Sequence, residues 1–449
     1  MFRKAGLLVI LLFAPMFLEA EAQPIKVLTI GDSLTEEYRF EGVFSGPKVQ
    51  GVPVPVANTR NWVEIIADRR SSSVSFGSFD PNFAAYSDFR DGGHAFNYGV
   101  PGFTTAKWVE VVEWVDLPIW VMIEDPDRYL AGLPFERTKR KLAENLVEED
   151  IGAVIIFLGG NDLKSDYGGI YRDPAPPALL QDAVTNLGKI VTFVRQRNTT
   201  VPLVICTFPD IGATPEVAGK YPDPVNRAQA IQRIRDANAS VVALAGSVGA
   251  QVARIDRVTD WILAGPTYHL NGTVFKFPPD DLNPPDHLFC HDGFHPSTVG
   301  QAMIANEVLD AINRATGAAV PLMGNREIIG EVLGLNPDQP YLTWAGAAGG
   351  PSDNPDGDSF PNLVEYLLGS GASVADNPLV FAADGGLSFR PLETPARFAD
   401  LGILESGTLG NDWAKVPQSR ITVLPDGTWQ VAPNGSTRNF YRLTATPKP

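Results

Sequence analysis

Apolar residues along this chain follow two spacings. Five short runs, residues 25–30, 94–98, 153–158, 202–207 and 251–255, are almost continuously apolar and end at turn residues. Such runs predict strands buried on both faces. Between and after them, residues 61–69, 136–149, 177–196, 227–246 and 298–315 repeat their apolar positions at helical spacing, as where Leu142 and Leu146 share one stripe opposite charged positions. Alternation of this kind predicts a parallel sheet covered by helices on both faces. Right-handed crossovers then bring every strand's carboxyl end to one edge. Residues 39–93 fit neither spacing; they are rich in Pro, Gly, Ser and Phe and are expected to border that edge as an insertion.

The pattern changes near residue 320. Residues 334–355 read as a loop, with Pro337, Pro340, Gly349, Gly350 and Pro351. One short helical run follows, then β-like segments at 386–389, 420–424, 429–431 and 440–445 separated by Asp-Gly and Asn-Gly turns. The expected division is a signal segment at 1–22, an α/β domain at 23–320, a linker at 321–352, and a small all-β module with an acidic loop at 353–449. No internal repeat is visible.

The first 22 residues carry Arg3 and Lys4, then an apolar stretch from Ala5 to Leu18 broken by Pro15, then Ala20-Glu21-Ala22. This is the order of a secretory signal cleaved before Gln23, and it predicts a secreted, extracellular or periplasmic protein. No other stretch is long and apolar enough to span a bilayer. A net charge of −16 argues against nucleic acid or an anionic membrane as partner. Cys206 and Cys290 are the two cysteines. In an oxidising compartment they either pair or remain as buried thiols, and the sequence leaves both open.

Candidate chemistry begins at Gly31-Asp32-Ser33-Leu34, directly after the first predicted strand. A turn there presents a hydroxyl at the sheet edge where ligands bind. Ser33 needs a base, and His295 can serve, with Asp292 three residues earlier to fix its tautomer. An oxyanion needs donors: the Gly102 amide, the Asn161 side chain and the Ser33 amide are the candidates. Trp108, Trp114 and Trp120 follow the Gly102 loop and fit either a core or a binding platform. Glu36, Glu37 and Tyr38 fit either a pocket flank or a solvated helix start.

Four blocks carry a family resemblance: Gly31-Asp32-Ser33-Leu34, Asn97-Tyr98-Gly99-Val100-Pro101-Gly102-Phe103-Thr104, Gly159-Gly160-Asn161-Asp162 and Asp292-Gly293-Phe294-His295-Pro296. Over residues 24–316, apart from insertions at 39–93 and 116–134, the chain resembles the SGNH hydrolases, also called GDSL esterases and lipases. The resemblance implies a three-layer α/β/α flavodoxin-like fold, Ser33 as nucleophile with Asp292 and His295, and Gly102 and Asn161 as oxyanion donors. It implies no cofactor for the chemistry. The expected activity is hydrolysis of carboxylic esters, with a leaning to short acyl groups such as acetyl on a polysaccharide. The alternatives are a lipase or lysophospholipase, and a non-catalytic polysaccharide-binding surface protein.

In the tail, residues 354–365 space oxygen-bearing groups like a twelve-residue calcium loop: Asn354, Asp356, Asp358, the Phe360 carbonyl, Asn362 and Glu365 at positions one, three, five, seven, nine and twelve. Asn stands at one in place of Asp, and Ser359 at six in place of Gly. The loop resembles the Asp-rich calcium loops, ending in Asn-x-x-Glu-Tyr, that precede C-terminal modules of exported bacterial proteins. A structural calcium ion is the expectation.

Overall fold

The computed structural model describes residues 23–41, 48–49, 52–53, 59–265, 267–278, 282–436 and 438–448. The signal segment and part of the 39–93 insertion lie outside the described residues. Six strands form a parallel sheet: β1 (Ile25–Gly31), β2 (Val74–Ser75), β3 (Asn97–Gly99), β4 (Ala153–Phe157), β5 (Leu203–Cys206) and β6 (Gln251–Ala253). The order is β6-β5-β4-β1, and the far border of β1 is shared by two stubs, β2 beside its start and β3 beside its end. The register sets Ile30 opposite Ile156 on one side and Tyr98 on the other, with Gly31 opposite Phe157 and Gly99.

Alternate strand residues feed two cores, as a doubly covered sheet requires. Leu28, Ile30, Val154, Ile156, Leu203 and Ile205 meet α2 (Thr105–Val112), α3 (Pro126–Glu148), α5 (Ala178–Arg197) and α6 (Pro224–Ser247). Val27, Ile155, Phe157, Val204 and Cys206 meet α1 (Trp62–Arg69), α7 (Ile255–Leu263) and α8 (Thr298–Thr316). Each fully buried aliphatic chain contributes about 1.5–3 kcal/mol. Helix α1 begins with a capping box, in which Asn61 accepts from the Glu64 amide (3.0 Å) and Glu64 accepts from the Asn61 amide (2.9 Å). The three-layer α/β/α fold is the expected one. Helix α4 (Gly160–Ser165), directly after β4, α2 and α7 were not foreseen.

Two thiols are buried and free: Cys206 inside the sheet core, and Cys290 beside Tyr38 with its Sγ donating to the Pro296 carbonyl (3.6 Å).

The tail holds two antiparallel sheets. One joins β7 (Val380–Phe381), β8 (Leu387–Phe389), β12 (Trp429–Val431) and β11 (Ile421–Val423). The other joins β10 (Ala414–Lys415), β9 (Ala399–Ser406) and β13 (Phe440–Pro447). Helices α9 (Gln339–Ala345) and α10 (Asn362–Leu368) pack with them. The stretch 321–352, read as a linker, is largely packed: Met323, Ile328, Ile329 and Val332 enter the core on one face of the parallel sheet, while Tyr341 and Ala345 enter the tail core. The helix over 339–345 replaces the expected loop because Pro340 sits in its first turn, where the missing N–H costs nothing.

Candidate active site

The turn after β1 is locked by its own residues. Asp32 Oδ1 accepts the Leu34 amide (3.0 Å), and the Asp32 carbonyl accepts the amides of Thr35 (2.9 Å) and Glu36 (3.0 Å). This tight turn lifts Ser33 out of the strand line at the sheet's carboxyl edge. The Ser33 Oγ lies 2.8 Å from His295 Nε2, and His295 Nδ1 lies 2.6 Å from Asp292 Oδ2. The other Asp292 oxygen accepts the backbone amides of Phe294 (2.9 Å) and His295 (3.0 Å). Burial opposes ionisation of Asp292, but the His295 ring and these two amides outweigh it and hold the carboxyl below the usual range. An ionised carboxylate only accepts, so Nδ1 carries the imidazole proton and Nε2 faces Ser33 with a free lone pair. Residues 33, 295 and 292, distant in sequence, are brought into one relay.

The histidine loop is tied down at several points. Cys290 N donates to the His295 carbonyl (2.8 Å), and Glu216 N donates to the Gly293 carbonyl (2.9 Å). The Lys164 ammonium sits 3.7 Å from the Phe294 ring centroid. Tyr38 is fully buried, donates to the Pro296 carbonyl (3.0 Å) and meets the His295 ring edge-on at 6.5 Å. Tyr38 therefore flanks the site rather than starting a solvated helix.

The oxyanion candidates converge from two further loops. Gly159, at φ +115°, ends β4 beside the Phe208 ring, where a Cβ would sit 2.1 Å from a ring carbon. The chain then turns into α4 with Asn161 in its first turn, and Asn161 Nδ2 donates to the Phe103 carbonyl (3.1 Å). That bond uses one amide hydrogen and leaves the other. Gly102, one residue before Phe103, holds φ +76°. A Cβ there would meet nothing within 4 Å, so the glycine serves the backbone angle and not the relief of a clash. Among the described residues, no protein group accepts the amide hydrogens of Ser33 or Gly102.

Two ties between these loops were not anticipated. Asp162 accepts the Thr105 amide (2.9 Å) and hydroxyl (2.6 Å), which fixes the Gly102 loop against the Asn161 loop. Asn97 bonds Thr29 (2.5 Å), the Thr35 carbonyl (2.9 Å) and Glu37 (2.7 Å), binding β3 to the serine turn. Burial pushes the Asp32 carboxyl up to about 7 and raises Asp162 as well. Asp162 and Asn97 stand in the sequence blocks already noted, but their bonds link residues 57 and 68 positions apart.

Trp108 is core: it is fully buried, and its Nε1 donates to the Gly31 carbonyl (2.9 Å). Trp114 stacks on Phe135 at 4.6 Å, and Trp120 is exposed. No tryptophan platform forms from the three. Glu37 is fully buried and accepts from His94 N (2.8 Å). An apolar cavity of about 40 Å³ opens beside Ser33 and Asn161, walled by Leu34, Ile211, Val258, Ile262, Phe289 and Ile304.

A hydroxyl, an imidazole and a carboxylate in series, with free amide hydrogens close by at the edge of a parallel sheet, make up the parts of an ester hydrolase. The sequence model of the GDSL-like lipase/acylhydrolase family matches residues 27–308, and the chain belongs to that family. No curated protein matches it in sequence. Similar solved structures include an α/β hydrolase from the metagenome of Lake Arreo, Spain, 16% identical over 65% of this chain and 96% of that one, with a TM-score of 0.33. A Clostridium thermocellum family 3 carbohydrate esterase is 14% identical over 67% and 100%, with a TM-score of 0.31. An acetylxylan esterase from Geobacillus stearothermophilus is 14% identical over 65% and 95%, also at 0.31.

Proposed function

We propose that this chain is a serine esterase that cleaves short-acyl carboxylic esters through an acyl-enzyme. The observation that carries it is the unbroken run Ser33 Oγ, His295 Nε2, His295 Nδ1, Asp292 Oδ2 at 2.8 and 2.6 Å. Ser33 Oγ attacks the ester carbonyl carbon while its proton passes to His295 Nε2, and Asp292 stabilises the imidazolium. The amides of Ser33 and Gly102 and the free Asn161 amide hydrogen receive the oxyanion. His295 then protonates the departing alkoxide as its C–O bond breaks. Water repeats the sequence on the acyl-enzyme: His295 takes the water proton, hydroxyl adds to the acyl carbon, and Ser33 leaves with the proton returned.

The leaving alcohol and the entering water need an open polar side, so the acyl group belongs in the apolar cavity. The apolar walls and the small space beside Ser33, about 40 Å³, support a short-acyl substrate over a lipid. We take an acylated polysaccharide outside the cell as the natural ester, in keeping with the signal-like first 22 residues and the net charge of −16. No helix among the described residues is long and apolar enough to cross a membrane. Members of this family need no cofactor for the chemistry, and in our view the tail's calcium ion is structural.

Ser33→Ala should cut turnover of a chromogenic butanoate ester by at least a thousandfold, and a phosphonate should label Ser33 in the parent chain. Turnover unchanged in the variant, or labelling at another residue, would overturn the assignment.

A further inference from the structure

The acidic loop of the tail gathers carboxylates that meet no cation: Asp356 and Asp358 accept only backbone amides, from Asp358 (3.3 Å) and from Phe360 (2.6 Å) and Asp376 (3.4 Å). Carboxylate oxygens of Asp356, Asp358 and Glu365 lie within 4.8 Å of one another. Glu365 is fully buried, yet neither of its oxygens has a hydrogen-bond partner. The buried oxygens Asp356 Oδ2 and Asn362 Oδ1 also lack one. Among the described residues, no lysine, arginine or histidine pairs with these acids. A buried carboxylate without hydrogen bonds or a counter-charge is costly, and three that converge add mutual repulsion. An all-oxygen, irregular set with an acid held on a helix suits calcium, which accepts six to eight oxygens in flexible geometry; magnesium demands a near-ideal octahedron.

One expected ligand is engaged within the loop. Asn354 is spent within the loop, its Nδ2 donating to the Asp358 carbonyl (2.8 Å) and its Oδ1 accepting from Gly357 N (3.1 Å). The left-handed residue is Gly357, at φ +75°, in the fourth position and not the sixth. The register of a twelve-residue calcium loop is therefore not kept, although Asp356, Asp358 and Glu365 still meet.

We infer that Asp356, Asp358 and Glu365 bind one calcium ion and that this ion fixes α10 as the keystone between the tail and the hydrolase domain. All seven residues of α10 are buried, and its amino end has no side-chain cap. Val364 and Leu368 enter the β-sheet core of the tail, while Leu363, Tyr366 and Leu367 pack with Tyr341 and Phe398. Phe398 and Pro340 in turn rest on Gly272, in the hydrolase-side turn between Tyr268–Leu270 and Thr273–Phe275. Holding Glu365 thus holds both packing surfaces of one short helix.

The inference rests on the calcium reading of the tail and is independent of the esterase reading. The experiment is a calorimetric titration of calcium into the full-length chain after chelation, with parallel melting curves and ester assays. One binding event per chain is expected, with a rise in melting temperature. Affinity should fall at least tenfold in Asp356→Asn and in Glu365→Gln, while butanoate cleavage by the chelated parent stays within twofold. Asp356→Asn, at a half-buried residue on an otherwise largely exposed loop, guards against a Glu365 variant that fails to fold. Absent binding heat with unchanged melting, or undiminished affinity in Asp356→Asn, would overturn the calcium site. Binding without any change in melting would overturn the keystone role. Loss of ester cleavage in Ser33→Ala bears on neither.

Discussion

Asp292 shows how much one side chain decides. Its Oδ2 accepts a hydrogen bond from His295 Nδ1–H at 2.6 Å, and its Oδ1 is held by two backbone amides. In Asp292→Asn the amide group would donate toward Nδ1 and favour the opposite tautomer. The Nε2 lone pair would be lost and Ser33 would have no base. Turnover should fall about 10³–10⁴-fold with KM little changed, as measured by steady-state hydrolysis of a butanoate ester. Retention of a tenth of the parent turnover would show that tautomer control is not what Asp292 supplies. The residues of this relay were legible because chemistry restricts them to few types. The residues that brace it were not. Thr105 is ordinary in sequence, Glu37 was open between a pocket flank and a solvated helix start, and only the fold brings Thr105 to Asp162 and Glu37 to Asn97. Trp108 fitted either a core or a binding platform, and its bond to the Gly31 carbonyl assigns it to the core.

Among the elements, the central strands were legible because burial on both faces leaves an unbroken apolar run. Strand β2, two residues long, carries no such signal. In the tail the longest strands, β9 and β13, pair over eight residues, yet β9 was missed because Asp400, Gly402 and Glu405 break its alternation. Helix α7 presents Ile255, Val258 and Ile262 to the cavity beside Ser33. Val258→Phe should fill that space at a cost of roughly 1–3 kcal/mol in stability. Butanoate cleavage should then drop at least tenfold relative to acetate, read as the ratio of kcat/KM for the two esters. An unchanged ratio would place the acyl group elsewhere.

The whole molecule carries an excess of acid, and several carboxyls are buried. Burial pushes Asp32 and Glu64 up to about 7 and Asp210 to about 6. A carboxyl whose folded pKa is raised binds its proton more tightly in the native state, so its destabilising effect is absent below the unfolded pKa of about 4 and complete above about 7. Asp88 and Asp256 are shifted the other way: burial opposes it, but Arg90 and Arg254 hold them low. Their contribution is present above about 4 and lost as pH falls through the lowered value. Thermal stability should therefore peak near pH 5 and decline by several degrees toward pH 7.5, as measured by scanning calorimetry with calcium held constant. A flat or rising profile across that interval would contradict it. At this scale the two-part organisation was legible from the change of spacing near residue 320. The packing of 321–352 was not, because its turn-forming prolines and glycines conceal how much of it is buried.

That packing has a practical consequence for anyone wishing to separate the halves. A cut at residue 353 would strip Tyr341 and Ala345 from the tail and leave Tyr366 and Phe398 with an open aromatic face. A cut before residue 320 would uncover Ile328 and Ile329 on the other half. The seam runs between Leu335 and Gln339, where the Arg326–Asp338 ion pair (2.7 Å) must be undone together with the seating of Pro340 and Phe398 on Gly272. Fragments trimmed there stand the best chance of staying in solution.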